Sequence, residues 1–129
     1  MTDTSRPLRV LIVEDERLIR WSIAETLGHA GHVVVEAEDG ASAIRTLTNP
    51  PAPVDVVVLD YRLPDSNDLV LLADIRRLSP SSVVILMTAY GTPEVARRAL
   101  ELGVYQVINK PFDMHDLRSL LLKACAGRR

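Results

Sequence analysis

The chain has 129 residues, of which 47% are hydrophobic and 25% are charged, and its formal net charge is −2. This length suits one domain with a sizeable core, and the small charge gives no basis for strong binding to nucleic acid or membrane surfaces. No apolar run reaches the ~20 residues of a membrane span. The single cysteine, Cys125, cannot form an intramolecular disulfide. Since the N-terminus also lacks a secretory pattern, we expect a cytoplasmic protein.

Short Val-rich apolar runs predict five β-strands. Polar residues rarely interrupt them, which is typical of strands covered on both faces in a parallel sheet. The runs cover residues 10–13, 33–35, 54–59, 83–87 and, most weakly, 104–108.

The segments between and after these runs predict five helices, because their apolar residues recur every three or four positions. Capping residues, prolines and glycines mark their ends. The expected boundary residues, in chain order, are Gly28, Asp39, Pro50, Pro80, Thr92, Gly103 and Asp113.

Alternating strands and helices indicate βαβ units with right-handed crossovers. We therefore predict an α/β fold, a three-layer α/β/α sandwich around a five-stranded parallel sheet. The expected strand order is the flavodoxin-like 2-1-3-4-5, with its switch point between the first and third strands. We expect the domain to span residues 7–126, after a flexible tail at 1–6. Residues 127–129 are either a terminus or the start of a linker.

Polar and charged residues follow four of the predicted strands. Since the carboxyl ends of parallel strands share one edge of the sheet, these side chains should converge there. They are Glu14 and Asp15 after the first strand, Asp60 after the third, Thr88 after the fourth and Lys110 after the fifth.

Three carboxylates near one point repel each other and require compensating positive charge. Lys110 supplies one charge, and Mg²⁺ (or Mn²⁺) with oxygen ligands would supply the rest. A carboxylate beside such an ion can attack phosphorus and form an aspartyl phosphate, so Asp60 is the candidate nucleophile. The Thr88 hydroxyl could donate a hydrogen bond to a phosphoryl oxygen.

Each of these residues also has an ordinary structural explanation. Glu14 and Asp15 could be first-turn carboxylates favoured by the helix dipole. Thr88 could simply end a strand, and Lys110 could be a solvated loop residue. Their joint occurrence at the ends of four strands favours a functional site.

Four stretches of the sequence resemble the receiver (phosphoacceptor) domains of two-component response regulators. They are residues 10–16, 60–65, 87–91 and 109–113, and the resemblance extends over about residues 8–124. The chain is most similar to receivers attached to transcriptional output domains.

The resemblance implies that Asp60 is phosphorylated by a sensor histidine kinase. It implies Mg²⁺ binding by Glu14, Asp15, Asp60 and the backbone carbonyl of Arg62. Thr88 and Lys110 would bind the phosphoryl group, with a cis peptide between Lys110 and Pro111.

Phosphorylation would shift the face formed by the fourth helix, fifth strand and fifth helix. That face would control an output domain fused beyond Arg129 or a separate effector, and could form a homodimer through Arg97 and Arg98. A solvated helix face is the competing interpretation of these arginines. We expect no direct nucleic-acid binding by this segment and no enzymatic turnover beyond self-catalysed phosphoryl transfer and slow autodephosphorylation.

Two positions depart from the family pattern. Asp68 replaces a usual glycine, and Val107 stands where the family usually has a switch aromatic. Tyr105, two residues earlier, either takes over part of that role or is a surface residue.

Three other functions compete with a phosphorylation switch. An aspartate-dependent phosphohydrolase typically needs a second Asp where this chain has Arg62. A nucleotide or flavin module needs a Gly- or Ser/Thr-rich phosphate loop after the first strand, where this chain has acidic residues. The departures at Asp68 and Val107 keep open a receiver-like interaction module that works without phosphorylation.

Overall fold

The computed structural model describes residues 7–66, 69–89 and 91–126. Strands and helices alternate in these residues as predicted. They are β1 (Arg9–Val13), α1 (Arg17–His29), β2 (Val33–Ala37), α2 (Gly40–Thr48), β3 (Val56–Asp60), α3 (Val70–Leu78), β4 (Val83–Thr88), α4 (Pro93–Glu101), β5 (Gln106–Asn109) and α5 (Met114–Ala124). None of these helices has both the length and the apolarity that crossing a membrane would require.

Several predicted boundaries differ from the structure by one or two residues, among them the start of the third strand, which lies at Val56 rather than at position 54. Helix α1 continues through Gly28 to His29, and Gly31, at φ 95°, is the residue that adopts the left-handed conformation after it. The fifth strand begins at Gln106 rather than at position 104. The backbone N–H of Val104 instead donates to the carbonyl of Ala99, so it closes the end of α4 and is not part of the strand ladder.

All five strands are parallel, in the order β2-β1-β3-β4-β5. The predicted fold class and strand order are therefore confirmed. The register pairs Val13 with Leu59, Asp60 with Met87, and Thr88 with Asn109. This alignment brings the carboxyl ends of the central strands to a common edge, beside the switch point.

Apolar side chains cover both faces of the sheet. Helices α2, α3 and α4 cover one face with Ala43, Leu47, Leu72, Ile75 and Ala99. Helices α1 and α5 cover the other with Ile23, Leu27, Leu117 and Leu121. Burying each large side chain contributes roughly 1.5–3 kcal/mol, so the two clusters hold the strand ends in place.

Side-chain caps begin three of the helices. The carboxylates of Asp39 and Asp113 and the hydroxyl of Thr92 accept backbone N–H groups at the starts of α2, α5 and α4. Asp65 adds a cap from outside the helix that it stabilises: its two oxygens accept the first two N–H groups of α2, at 2.8 and 3.0 Å. The loop that follows Asp60 is therefore attached to α2.

Candidate functional site

Three acidic residues meet at the carboxyl edge of the sheet. Glu14, Asp15 and Asp60 each offer an oxygen, and these oxygens lie within 4.8 Å of one another. Glu14 is 0% exposed and Asp60 is 6% exposed, whereas Asp15 faces solvent. Strands β1 and β3 are neighbours and end together, which places residues 46 positions apart at one point. The cluster has the oxygen ligands that a divalent cation requires.

The ammonium group of Lys110 lies inside this cluster. Its Nζ is 2.8 Å from Glu14 Oε1 and 3.3 Å from Asp60 Oδ1. The backbone N–H of Lys110 donates to the carbonyl of Thr88 at 2.9 Å, and the peptide bond to Pro111 is cis. Lys110 thus pairs with two of the three carboxylates of the cluster.

The electrostatics of the site favour a protonated Asp60. Burial raises the pKa of Asp60 to about 7, and the charge of Glu14 adds to this effect while Lys110 opposes it. Burial lowers the pKa of Lys110, but the hydrogen bond to Glu14 and the charge of Asp60 outweigh it, so the net shift is upward. A bound cation would favour the ionised form of Asp60.

A cleft of about 190 Å³ opens above these residues. The backbone N–H of Arg62 lies 3.5 Å from Asp60 Oδ1, so the β3–α3 loop bends back over the carboxylate. Thr88 is buried at the end of β4, and the small side chain of Ala89 follows it. The cleft is lined by Asp15, Glu16, Asp60, Tyr61, Arg62, Thr88, Ala89 and Lys110.

The structure brings together every residue that the sequence predicts for the candidate phosphoacceptor and metal site. The predicted interaction residues lie elsewhere. Val107 is half-buried against the cluster under α2, α3 and α4, whereas Tyr105 precedes β5 and is 42% exposed. A switch role for Tyr105 or Val107 stays a prediction, and Asp68 lies outside the described residues.

The two arginines of α4 are exposed but differ in their surroundings. Arg97 binds Glu94 and Glu101 of its own helix, each at 2.8 Å. These ion pairs hold the Arg97 side chain along the helix surface, so a partner would have to compete for it. Arg98 is exposed one residue later. Their role in a homodimer stays a prediction.

Sequence reasoning did not place Arg20 or Gly91 at the site, although both contact it. Arg20 donates to the backbone carbonyl of Glu14, and no motif in the sequence distinguishes it from other helix arginines. Gly91 lies three residues after the end of β4, and a Cβ there would overlap Asn109 Oδ1 and lie 3.1 Å from Thr88 Cγ2. A glycine in the loop after a strand is the signal that could have indicated this close approach.

Residues 10–122 match the family model for the response regulator receiver domain. The chain belongs to this family. It is 33% identical over 121 residues to a cyclic di-GMP phosphodiesterase of Thermotoga maritima, covering 94% of this chain and 32% of that protein. It is 32% identical over 115 residues to the DNA-binding transcriptional regulator NtrC of Escherichia coli K12, covering 89% and 24%. The chain thus spans a third or less of these relatives.

Solved receiver structures share the fold. A chain of the CheX-CheY-BeF3-Mg²⁺ complex from Borrelia burgdorferi superimposes with a TM-score of 0.86 at 25% identity, covering 95% of this chain and 92% of that one. Receiver domains are phosphorylation-dependent switches of two-component systems, so the predicted family and the predicted function of this domain are confirmed.

Proposed function

We propose that Asp60 is the phosphoacceptor of this receiver, and that a histidine kinase phosphorylates it in a Mg²⁺-dependent reaction. One observation carries the proposal: the Asp60 carboxylate lies within 4.8 Å of two further carboxylates and 3.3 Å from the Lys110 ammonium. This arrangement places a nucleophile between a cation-binding cluster and a fixed positive charge.

The Asp60 carboxylate would attack the phosphorus of a phosphohistidine. A P–O bond forms, the P–N bond breaks, and the imidazole that leaves takes up a proton. The attack requires the ionised carboxylate, although burial raises the pKa of Asp60 to about 7. Bound Mg²⁺ supplies positive charge that favours this ionised form and neutralises the phosphoryl oxygens.

The residues around Asp60 have complementary roles in this proposal. Glu14, Asp15, Asp60 and the carbonyl of Arg62 would hold the cation, in keeping with the acidic cluster and with Arg62 lining the cleft. The Thr88 hydroxyl and the Lys110 ammonium would bind the phosphoryl oxygens. Lys110 would exchange its contact with Glu14 for one with the new phosphoryl group.

The phosphoryl group would then shift a conformational equilibrium of the face formed by α4, β5 and α5, where Arg97, Arg98, Tyr105 and Val107 lie. We propose that this face controls an output domain fused beyond Arg129 or a separate effector, with transcription regulation as the expected output. We further propose a homodimer through the same face and a cytoplasmic location. We expect no direct contact between this segment and nucleic acid. The domain itself would show no turnover beyond phosphoryl transfer and slow autodephosphorylation.

Labelling by acetyl phosphate tests the proposal. Wild-type protein should gain one phosphoryl group in Mg²⁺, detected as an intact-mass increase, and none in EDTA. Asp60→Asn should gain none, whereas Asp74→Asn, on the exposed surface of α3, should label like wild type. Equal labelling of wild type and Asp60→Asn would contradict the assignment.

The position of Val107 favours one alternative, a receiver-like module that signals without phosphorylation. An aliphatic side chain half-buried against the core there leaves no aromatic ring to change rotamer at that position. Amide spectra recorded with and without beryllofluoride and Mg²⁺ distinguish the phosphorylation-dependent switch from this alternative. Amide shifts that extend from Asp60 to β5 support the switch, and an unchanged amide spectrum supports the alternative.

A further inference from the structure

Arg20 connects three elements next to the acidic cluster. From α1, its Nη1 donates to the backbone carbonyl of Glu14 at 2.8 Å. Its Nε donates to Glu36 Oε1, on the edge strand β2, at 3.0 Å. The Arg20 side chain is 15% exposed and that of Glu36 is 46% exposed. These contacts hold the guanidinium group against the loop that carries the acidic pair.

These two contacts restrict the orientation of one peptide unit. The carbonyl of Glu14 belongs to the peptide that joins Glu14 to Asp15, and a guanidinium is planar with donors in fixed directions. The same segment is held by two further hydrogen bonds. Glu14 N donates to the carbonyl of Ala37 at 3.0 Å, and Glu16 N donates to Glu14 Oε2 at 3.0 Å. The directions of both acidic side chains depend on this peptide.

We propose that Arg20 is a positioning residue that holds the Glu14–Asp15 peptide in the orientation that Mg²⁺ binding requires. This inference rests on the proposed function, since it assigns Arg20 to the same site. Groups that orient metal ligands typically contribute 10–100-fold to metal affinity.

The charge of Arg20 and its positioning role predict opposite changes in Mg²⁺ affinity when Arg20 is removed. Arg20 is a cation near a cation site, so by charge alone its removal should strengthen Mg²⁺ binding. If Arg20 positions the ligands, its removal should weaken binding. Arg17 lies on the same helix and is exposed, so Arg17→Ala removes the same charge without the contact to Glu14.

Mg²⁺ titration by calorimetry provides the first test. We expect the Kd of Arg20→Ala to rise at least tenfold over wild type and that of Arg17→Ala to stay equal or fall. Arg20→Lys keeps the charge but cannot make both hydrogen bonds, so its Kd should rise by an intermediate factor. At saturating Mg²⁺, acetyl phosphate should label Arg20→Ala within about threefold of the wild-type rate. A Kd for Arg20→Ala within twofold of wild type would overturn the inference.

Amide hydrogen exchange in EDTA provides a second test that needs neither metal nor phosphorylation. The Glu16 N–H should exchange about tenfold faster in Arg20→Ala than in wild type and Arg17→Ala, because the loop is no longer fixed. Equal exchange would overturn the inference. If wild type takes up no phosphoryl group, the proposed function fails, while the exchange comparison still decides the role of Arg20. Urea unfolding in EDTA checks that each variant folds. If Arg20→Ala does not fold, Arg20→Lys and Glu36→Ala replace it in the Mg²⁺ titration and in the exchange measurement.

Discussion

Replacing Asp60 by Asn should stabilise the metal-free domain at alkaline pH. The pKa of Asp60 is raised from 3.8 to about 7 in the folded protein, chiefly by burial and then by Glu14. A raised folded-state pKa means that the stability present below pH 3.8 is progressively lost as the pH rises towards 7. Because Asn cannot ionise, the variant escapes this loss.

The size of the stabilisation by Asp60→Asn follows from the pKa shift of Asp60. A shift of about three pKa units corresponds to about 4 kcal/mol at 1.36 kcal/mol per unit. Asp60 lines an open cleft, and screening by solvent reduces such a figure. The lost contact with Lys110 offsets a further part of the gain. We therefore expect Asp60→Asn to raise the free energy of unfolding by about 1–2 kcal/mol at pH 8.

Urea unfolding in EDTA at pH 8 and pH 4.5 measures this effect. The gain should be largest at pH 8 and fall below about half of that value at pH 4.5, where the folded wild type is protonated. Asp74→Asn, which removes an exposed carboxylate paired with Arg77, should change stability by less than about 1 kcal/mol at either pH. Added Mg²⁺ should stabilise wild type more than Asp60→Asn. A variant that is less stable than wild type at pH 8, or a gain independent of pH, would refute the reasoning.

Three further predictions concern residues outside the cluster. The backbone N–H of Leu8 donates to His32 Nδ1, and burial lowers the pKa of His32. The stability of the folded protein should therefore fall as the pH drops below 6.5. A pH series of thermal unfolding should show this fall for wild type and not for His32→Gln. Gly103 has φ 96°, so Gly103→Ala should lower the free energy of unfolding by about 1–3 kcal/mol, measured in urea. Gly28 lies inside α1, and an added Cβ there would have no atom within 4 Å. Gly28→Ala should therefore raise the free energy of unfolding by up to about 1 kcal/mol. The reverse order of these two variants would contradict the argument. Asp65→Ala removes the cap that Asp65 adds to the one from Asp39 on α2, and should cost about 1–2 kcal/mol, with faster exchange of the first α2 amides. Unchanged exchange would exclude this role.

Local patterns in the sequence predicted most of the fold. Val-rich runs identified the strands because buried parallel strands carry apolar residues on both faces. Thr92 and Asp113 identified helix starts because their side chains satisfy N–H groups that no helix can satisfy internally. The end of α1 and the start of β5 were misplaced because backbone hydrogen bonds, and not residue type, decide them. Val104 could continue a strand, but its N–H caps α4 instead.

For the candidate site too, the sequence predicted one part and the tertiary structure decided the rest. The sequence by itself determined that Glu14, Asp15, Asp60, Thr88 and Lys110 would converge, since parallel strands share one carboxyl edge whatever their side chains do. The tertiary structure decided how they interact. Lys110 pairs with Glu14, 96 positions away, and burial raises the pKa of Asp60. Arg20 and Asp65 hold the two loops of the site through contacts with other elements. Distances and burial of this kind arise only when elements far apart in the chain pack together, and no local pattern of residues encodes them.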